Sequence, residues 1–262
     1  MTDAIVLYGD SLRHPNILWR TKFSAPDPVV YIESGERRIL LVGALELGRA
    51  KKQAAVSEVR QFDGAEWRKR YQAGSEFDAH AAGIAGVLNE LGADRVMVEA
   101  DFPIALARAL EQHDVVVEVS TDLFHADRRR KTPEEQEAIA QTQAAAVASM
   151  RAARDLLKAA EIRAGKLWYE GLPLTSDIVT ATIEQELLRH NCMTEDTIVA
   201  AGPGAADPHV TSTGHLDAGT GIIIDIYPTH KGTRYFGDVT RTYVVGEPSE
   251  AWVRMYEAVK TA

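Results

Sequence analysis

The chain of 262 residues is 45% hydrophobic, which is enough apolar material for a packed core and suggests one large domain or two ordinary ones. Its formal net charge of -9 argues against a nucleic-acid partner, because phosphate binding relies on clustered lysine and arginine. No apolar run approaches the roughly 18 to 20 residues that a membrane-spanning helix needs, so no membrane partner is expected. The single cysteine, Cys192, excludes an internal disulfide framework and suits a reducing compartment, so the sequence predicts a cytoplasmic location.

The first 125 or so residues alternate between short β-like runs and helical stretches. The runs 29–34 and 37–43, separated by Gly35 and Glu36, predict a β-hairpin. Such alternation favours an α/β domain with a mostly buried sheet. The remaining elements predicted here are helices at 44–55, 79–93 and 105–113 and strands at 95–100 and 115–120.

A polar, basic connector at 125–131 leads into a long helical sequence. Thr132, Pro133 and Glu135 form the pattern of a capping box with proline at the first helical position, so a helix is predicted to begin there. The sequence therefore predicts two domains, 1–127 and 128–262. The basic cluster at 128–131 is interpreted as a solvated linker in preference to an anion site.

The second half repeats the mixed pattern on a smaller scale. It predicts a helix at 175–190, strands at 197–202, 221–227 and 233–246, and a helix opening near residue 250. Asp225 and Asp238 lie in the two strands that read as a β-hairpin. A turn at Lys231 and Gly232, with glycine supplying a positive φ, would place the two aspartates directly opposite each other.

Directly opposed side chains have Cβ atoms about 4.5 to 5.5 Å apart, and like charges so placed destabilise a sheet. A cation between Asp225 and Asp238 would remove that repulsion, and carboxylates suit manganese, cobalt or zinc. A bridging carboxylate can hold two such ions about 3.5 to 4 Å apart. The alternative is that one aspartate is a turn residue and the other pairs with Arg234 or Arg241. The spacing alone leaves both interpretations open.

The residues around the aspartates resemble the pita-bread metallopeptidases, which include Xaa-Pro aminopeptidase, prolidase and methionine aminopeptidase, with creatinase as a non-peptidase relative. The resemblance lies in IIID (222–225), YFGD (235–238), VTRTYVVG (239–246) and AAGPGAADPHV (200–210), the last being similar to a family stretch that ends in Pro-His. YGDSLRHPNILWRTKFSAPDP (8–28) resembles the N-terminal domain of the Xaa-Pro peptidase and creatinase branch.

The resemblance implies an N-terminal creatinase-type α/β domain followed by the first half of a pita-bread α+β catalytic domain. It also implies that Asp225 chelates one divalent ion, that Asp238 bridges two, and that His209 hydrogen-bonds the substrate or the tetrahedral intermediate. The expected reaction is cleavage of a peptide with proline at its second position by a metal-bound hydroxide, in a homodimer. Thr240 is expected to hydrogen-bond an aspartate.

Three departures from the family pattern affect these expectations. Twelve residues separate the aspartates, where the family usually has ten. Gly204, Ala205 and Ala206 occupy the place where members often have asparagine. The 24 residues after Asp238 contain no histidine, and the family's remaining histidine and two glutamate ligands are not recognisable there, so the catalytic domain is expected to be incomplete and inactive alone.

Two rival functions stay open. One is a creatinase-like amidinohydrolase that works without metal, although its members tend to lose the carboxylates that this chain keeps. The other is a non-catalytic scaffold on the same fold. Two further histidines are given ordinary roles: His230 is expected to point to solvent at the hairpin tip, and His215 to be a loop residue.

Overall fold

The computed structural model describes residues 3–62, 64–73, 76–210 and 213–262. The chain divides into two compact units, Met1–Arg130 and Lys131–Ala262, which we call the N-terminal and C-terminal units. Each has a hydrophobic core of its own.

The N-terminal unit is built on one six-stranded sheet with the strand order β4-β3-β2-β1-β5-β6. Its strands are β1 (Asp3–Gly9), β2 (Val29–Ser34), β3 (Arg37–Val42), β4 (Glu58–Gln61), β5 (Arg95–Glu99) and β6 (Val116–Ser120). Its helices are α1 (Pro15–Thr21), α2 (Ala44–Gln53), α3 (Gly64–Gln72), α4 (Glu76–Leu91), α5 (Ile104–Glu111) and α6 (His125–Arg129).

The sheet is mixed, and helices cover both of its faces. The predicted hairpin of β2 and β3 is confirmed, while β1, β5 and β6 run parallel to one another. Apolar residues of α4 and α5 pack on one face, and those of α1 and α2 pack on the other. The chain leaves β1 toward α1 and leaves β5 toward α5, so these adjacent parallel strands send their following helices to opposite faces.

His80 of α4 is buried within an aromatic cluster in the N-terminal unit. Its ring makes edge-on contacts with Tyr8, Phe62 and Trp67, at centroid distances of 5.2, 4.7 and 5.8 Å. Its Nδ1 lies 2.9 Å from the carbonyl oxygen of Glu76, so this nitrogen carries the proton and donates it. Burial, the largest influence, lowers the pKa of His80 below its usual value.

The junction between the units differs in part from the sequence prediction. The capping box is confirmed, because the Thr132 hydroxyl accepts from the Glu135 amide and the Glu135 carboxylate accepts from the Thr132 amide. The interpretation of Arg128 as part of a solvated linker is wrong. This residue lies in α6, is half-buried, and donates to Asn16 Oδ1 at 2.8 Å.

The C-terminal unit packs two long helices, α7 (Pro133–Lys158) and α8 (Ser176–Arg189), against one face of a three-stranded antiparallel sheet. The sheet order is β11-β12-β14. The unit's remaining segments are β7 (Glu161–Arg163), β8 (Lys166–Tyr169), β9 (Leu172–Pro173), β10 (Cys192–Met193), β11 (Thr197–Ala201), a 3-10 turn at Gly202–Ala206, β12 (Gly221–Ile226), β13 (Thr229–His230), β14 (Val239–Val244) and α9 (Glu250–Thr261). Among the described residues, no helix is both long and apolar enough to cross a membrane.

We predict that the N-terminal unit loses stability as the pH falls below about 6.5, the ordinary pKa of histidine. Because the pKa of His80 is lower in the folded state, the unfolded chain takes up the proton first, and unfolding becomes easier until the folded pKa is passed. Denaturant unfolding between pH 5 and 8 measures the effect. His80→Phe should flatten this pH dependence, whereas His125→Gln, at an exposed position in α6, should leave it unchanged.

Candidate metal centre

The alternation of side chains along β12 decides where Asp225 points. Ile222, Ile224 and Ile226 are completely buried against the helices, so they occupy one face of the strand. Successive strand residues point to opposite faces. Asp225 therefore lies on the face away from the core, where it is half-buried.

The predicted register of the two strands is wrong. Asp225 lies opposite Thr240, and Asp238 comes one residue before β14 begins. The register is thus displaced by two residues from the prediction. An even displacement keeps side chains on the same face, so Asp238 still shares the face of Asp225 if the alternation of β14 continues one residue back. A diagonal neighbour of this kind lies about 7 to 8 Å away, within reach of a bridging ion but not in direct contact.

The connection between β12 and β14 is not a simple hairpin, which explains the displaced register. Residues 229–230 form β13, which pairs with β10, and Thr229 also bridges to Phe236. Gly232 does not have the positive φ expected of it; Arg234 has one, at 62°. The extra segment takes the chain to a second strand before it returns to the sheet.

The expectation that His230 points to solvent is also wrong. His230 is 9% exposed, and its Nδ1 accepts hydrogen bonds from the backbone amides of Gly232 at 3.2 Å and Thr233 at 3.0 Å. This histidine stabilises the turn. His215 has a structural role as well, since its Nε2 lies 2.6 Å from the carbonyl oxygen of Leu167 and its ring packs edge-on against Trp168.

Thr240 holds the Asp225 carboxylate as the sequence predicted. Its hydroxyl donates to Asp225 Oδ1 at 2.5 Å across the two strands. One carboxylate oxygen is thereby oriented, and the hydrogen bonds of the described residues do not involve the other, Oδ2. An oriented carboxylate with a free oxygen is suited to bind a cation.

Asp238 is positioned through its backbone, by a residue that the sequence did not reveal. The side-chain amide of Gln143 in α7 accepts from the Asp238 amide at 2.9 Å and donates to the Asp238 carbonyl at 2.8 Å. Gly237 lies so close to α7 that a Cβ atom there would be 2.8 Å from the carbonyl oxygen of Thr142. The glycine of the FGD sequence was the only available signal of this close approach. The exposed Asp238 side chain is left pointing away from its anchored backbone.

The arginine alternative is not supported by the geometry. In the part of the chain that the structure describes, neither Asp225 nor Asp238 forms an ion pair with Arg234 or Arg241. The guanidinium group of Arg241 donates instead to the carbonyl oxygen of Thr240, at 2.7 Å. The two negative charges are therefore without a protein cation among the described residues.

The geometry does not join His209 to the aspartates. His209 is exposed in the turn that follows the 3-10 segment, and its backbone amide donates to Asp207 Oδ1 at 3.2 Å. Within the described ranges, ligand atoms of His209, Asp225 and Asp238 do not all lie within 4.8 Å of one another. A role of His209 next to the metal therefore remains a prediction.

Other acidic residues lie within electrostatic reach of Tyr227, two residues after Asp225. The pKa of the Tyr227 phenol is raised above its ordinary value, first by burial and then by the charges of Asp196, Asp225 and Glu195. Uncompensated carboxylates next to one another favour cation binding, and oxygen donors suit hard or borderline divalent ions. The side chains of Asp225 and Asp238 therefore have the donor chemistry that fits a divalent-ion site.

Comparisons with known proteins show that the C-terminal unit is similar to metallopeptidases. The model of metallopeptidase family M24 matches residues 137–262. A curated Xaa-Pro dipeptidase from Pyrococcus horikoshii is 40% identical over 68 residues, which are 26% of this chain and 19% of that protein.

Solved structures extend the similarity to both units. The prolidase from Pyrococcus furiosus has a TM-score of 0.74 and 23% identity, covering 97% of this chain and 66% of its own. The Xaa-Pro dipeptidase from Bacillus anthracis has a TM-score of 0.77 and 22% identity, and the match covers 98% of this chain and 64% of that chain. The predicted fold class is confirmed, and the chain spans about two thirds of the length of these structures.

We predict that Gln143→Ala loosens the segment that carries Asp238. The change removes two hydrogen bonds, each worth about 0.5 to 1.5 kcal/mol, so the free energy of unfolding of the C-terminal unit should fall by about 1 to 3 kcal/mol. The Asp238 amide should also exchange its hydrogen faster. Gln141→Ala, at an exposed position in the same helix, is the matched control. Equal exchange rates in the two variants would show that Gln143 does not hold this segment.

Proposed function

We propose, because the model of metallopeptidase family M24 matches residues 137–262, that the chain is part of a dinuclear, metal-dependent Xaa-Pro peptidase. Asp225 and Asp238 lie on neighbouring segments and face away from the core, and neither has an arginine partner among the described residues. This placement carries the proposal. The similar proteins include an Xaa-Pro dipeptidase and a prolidase, and these activities supply the substrate class. The substrate is accordingly a peptide with proline at its second position.

Each aspartate has a separate role in holding the ions. Asp225, with Oδ1 held by Thr240, would be a ligand of one ion. Asp238, fixed through its backbone by Gln143, would be a ligand shared by both ions. Manganese, cobalt or zinc ions fit such oxygen donors. When bound, they supply Lewis acidity that lowers the pKa of water near the scissile carbonyl.

His209 is the proposed donor to the substrate. Its imidazole is exposed and carries no hydrogen bond to another described residue, so it is free to turn toward a bound peptide. A hydrogen bond from this ring to the oxygen of the attacked carbonyl would stabilise negative charge that develops there.

The rest of the ligand set is proposed to come from polypeptide that this sequence does not contain. This chain covers only 66% and 64% of the two solved structures, so about a third of each has no counterpart here. In addition, two carboxylates are too few donors for two ions. Assembly as a homodimer is part of the same proposal. So is a cytoplasmic location, for which the unpaired Cys192 is the support.

We predict that Asp238→Asn weakens divalent-ion binding at the C-terminal unit at least tenfold, because it removes a carboxylate ligand. Titration calorimetry with Mn²⁺ on the 262-residue chain measures the affinity. Asp225→Asn should have a similar effect, and Glu137→Gln, an exposed change of equal charge in α7, should have none. Equal affinity in Asp238→Asn and Glu137→Gln would refute the metal centre and favour a metal-free, creatinase-like hydrolase or a scaffold.

We predict that the 262-residue chain alone does not hydrolyse an Xaa-Pro dipeptide, since part of the ligand set lies outside it. The assay is release of free proline with Mn²⁺ present, with and without a chelator. Chelator-sensitive cleavage would disprove the incompleteness while supporting the peptidase itself. In the active assembly, His209→Ala should lower turnover and leave metal content unchanged.

A further inference from the structure

A second group of metal-ligand side chains lies in the N-terminal unit, away from the residues of the proposed metallopeptidase. His14, Glu99 and Asp101 each offer one ligand atom, and these three atoms all lie within 4.8 Å of one another. Within residues 3–62, 64–73, 76–210 and 213–262, they are the only group of three or more such side chains at this spacing.

The topology of the sheet places this group at a position suited to a ligand. β1 and β5 are parallel neighbours, and the three residues lie at or just beyond the carboxyl ends of these strands. The chain then leaves β1 toward α1 on one face and leaves β5 toward α5 on the other. In open α/β sheets, the crevice at such a divergence is the usual place for a ligand. This topological argument is independent of the types of side chain found there.

The backbone is shaped to admit the imidazole. Gly9, the last residue of β1, has φ +146°, and a Cβ atom at this position would be only 2.2 Å from Cδ2 of His14. Only glycine permits the ring to lie over the end of the strand. His14 is 24% exposed, so it can be reached from solvent while its ring is held in place.

Glu99 is oriented by a chain of polar groups. Asn16 donates to Glu99 Oε1 at 2.5 Å, and Asn16 Oδ1 accepts from Arg128 at 2.8 Å. These hydrogen bonds orient the Glu99 carboxylate, as residues next to a metal ligand commonly do.

The distances suit a shared ion better than direct bonding. His14 Nδ1 and Asp101 Oδ2 are 3.7 Å apart, which is too long for a hydrogen bond. Two ligands that each lie 2.0 to 2.2 Å from a tetrahedral zinc ion are about 3.3 to 3.6 Å from each other. The Glu99 ligand atom lies within 4.8 Å of the other two, so side-chain movements would bring all three to an ion, and the mainly exposed Asp101 is free to move.

We propose that His14, Glu99 and Asp101 bind a single divalent transition-metal ion, such as Zn²⁺ or Co²⁺, that links the β1–α1 loop to the β5–α5 loop. One nitrogen and two carboxylate donors suit such borderline ions. Asn16 is a positioning residue for Glu99. Three protein ligands leave a further coordination position for water. The ion ties together two segments that are far apart in the sequence and stabilises the folded N-terminal unit.

The experiment separates this site from the proposed catalytic one by using the full chain with Asp225→Asn and Asp238→Asn as background. Titration with Co²⁺, followed by calorimetry and by visible absorption, should show one bound equivalent and a rise in the melting temperature. Asp101→Asn and Glu99→Gln should each weaken binding at least tenfold. Asn16→Ala should weaken it less and keep the same cobalt spectrum.

Asp27→Asn is the matched control, because it removes an equal charge from an exposed position in the same unit. Its affinity for Co²⁺ should equal that of the background chain. Absence of a bound equivalent would overturn the proposal, as would equal affinities in Asp101→Asn and Asp27→Asn. Since Asp101 is mostly exposed, its substitution leaves the fold intact and keeps the test decisive. A failure of this test would not bear on the proposed peptidase function, because Asp225 and Asp238 are already substituted in the background chain.

Discussion

The burial of alternate side chains along β12 governs the whole C-terminal unit. Three isoleucines fill the space between this strand and the helices α7 and α8, and each is fully buried. A one-residue slip of the strand would exchange that apolar row for the row that contains Asp225, at a cost of several kcal/mol for the buried carboxylate. The core therefore forces Asp225 to the opposite face, where a cation can reach it.

The same helix that completes this core also positions the second aspartate. Gly237 allows the chain to approach α7 closely, and Gln143 then holds the Asp238 backbone by two hydrogen bonds. The helix α7 thus both packs against the core face of the sheet and holds the backbone of Asp238.

The two proposed metal sites of the chain are built in different ways. In the C-terminal unit, the ligands come from neighbouring antiparallel segments, so strand register sets their separation. In the N-terminal unit, they come from loops after parallel strands, and the divergence of α1 and α5 opens the space between them. The first depends on the alternation of side chains, and the second depends on where the chain leaves the sheet.

The sequence by itself determined the local features of this protein. The hairpin of β2 and β3, the capping box of Thr132 and Glu135, and the apolar run before Asp225 depend on residues close together in the chain, and all are present in the structure. The period of two also made the shared face of the aspartates predictable, because a register error of two residues leaves the face unchanged.

Only the tertiary structure decided the features that depend on distant partners. The pairing of β13 with β10 takes up residues that the sequence assigned to a hairpin, and so displaces the register and buries His230. Gln143 lies 95 residues from Asp238, and His14 lies more than 80 residues from Glu99 and Asp101. No local pattern reports such contacts, because the packing of whole elements, and not the preference of a short segment, brings these side chains together.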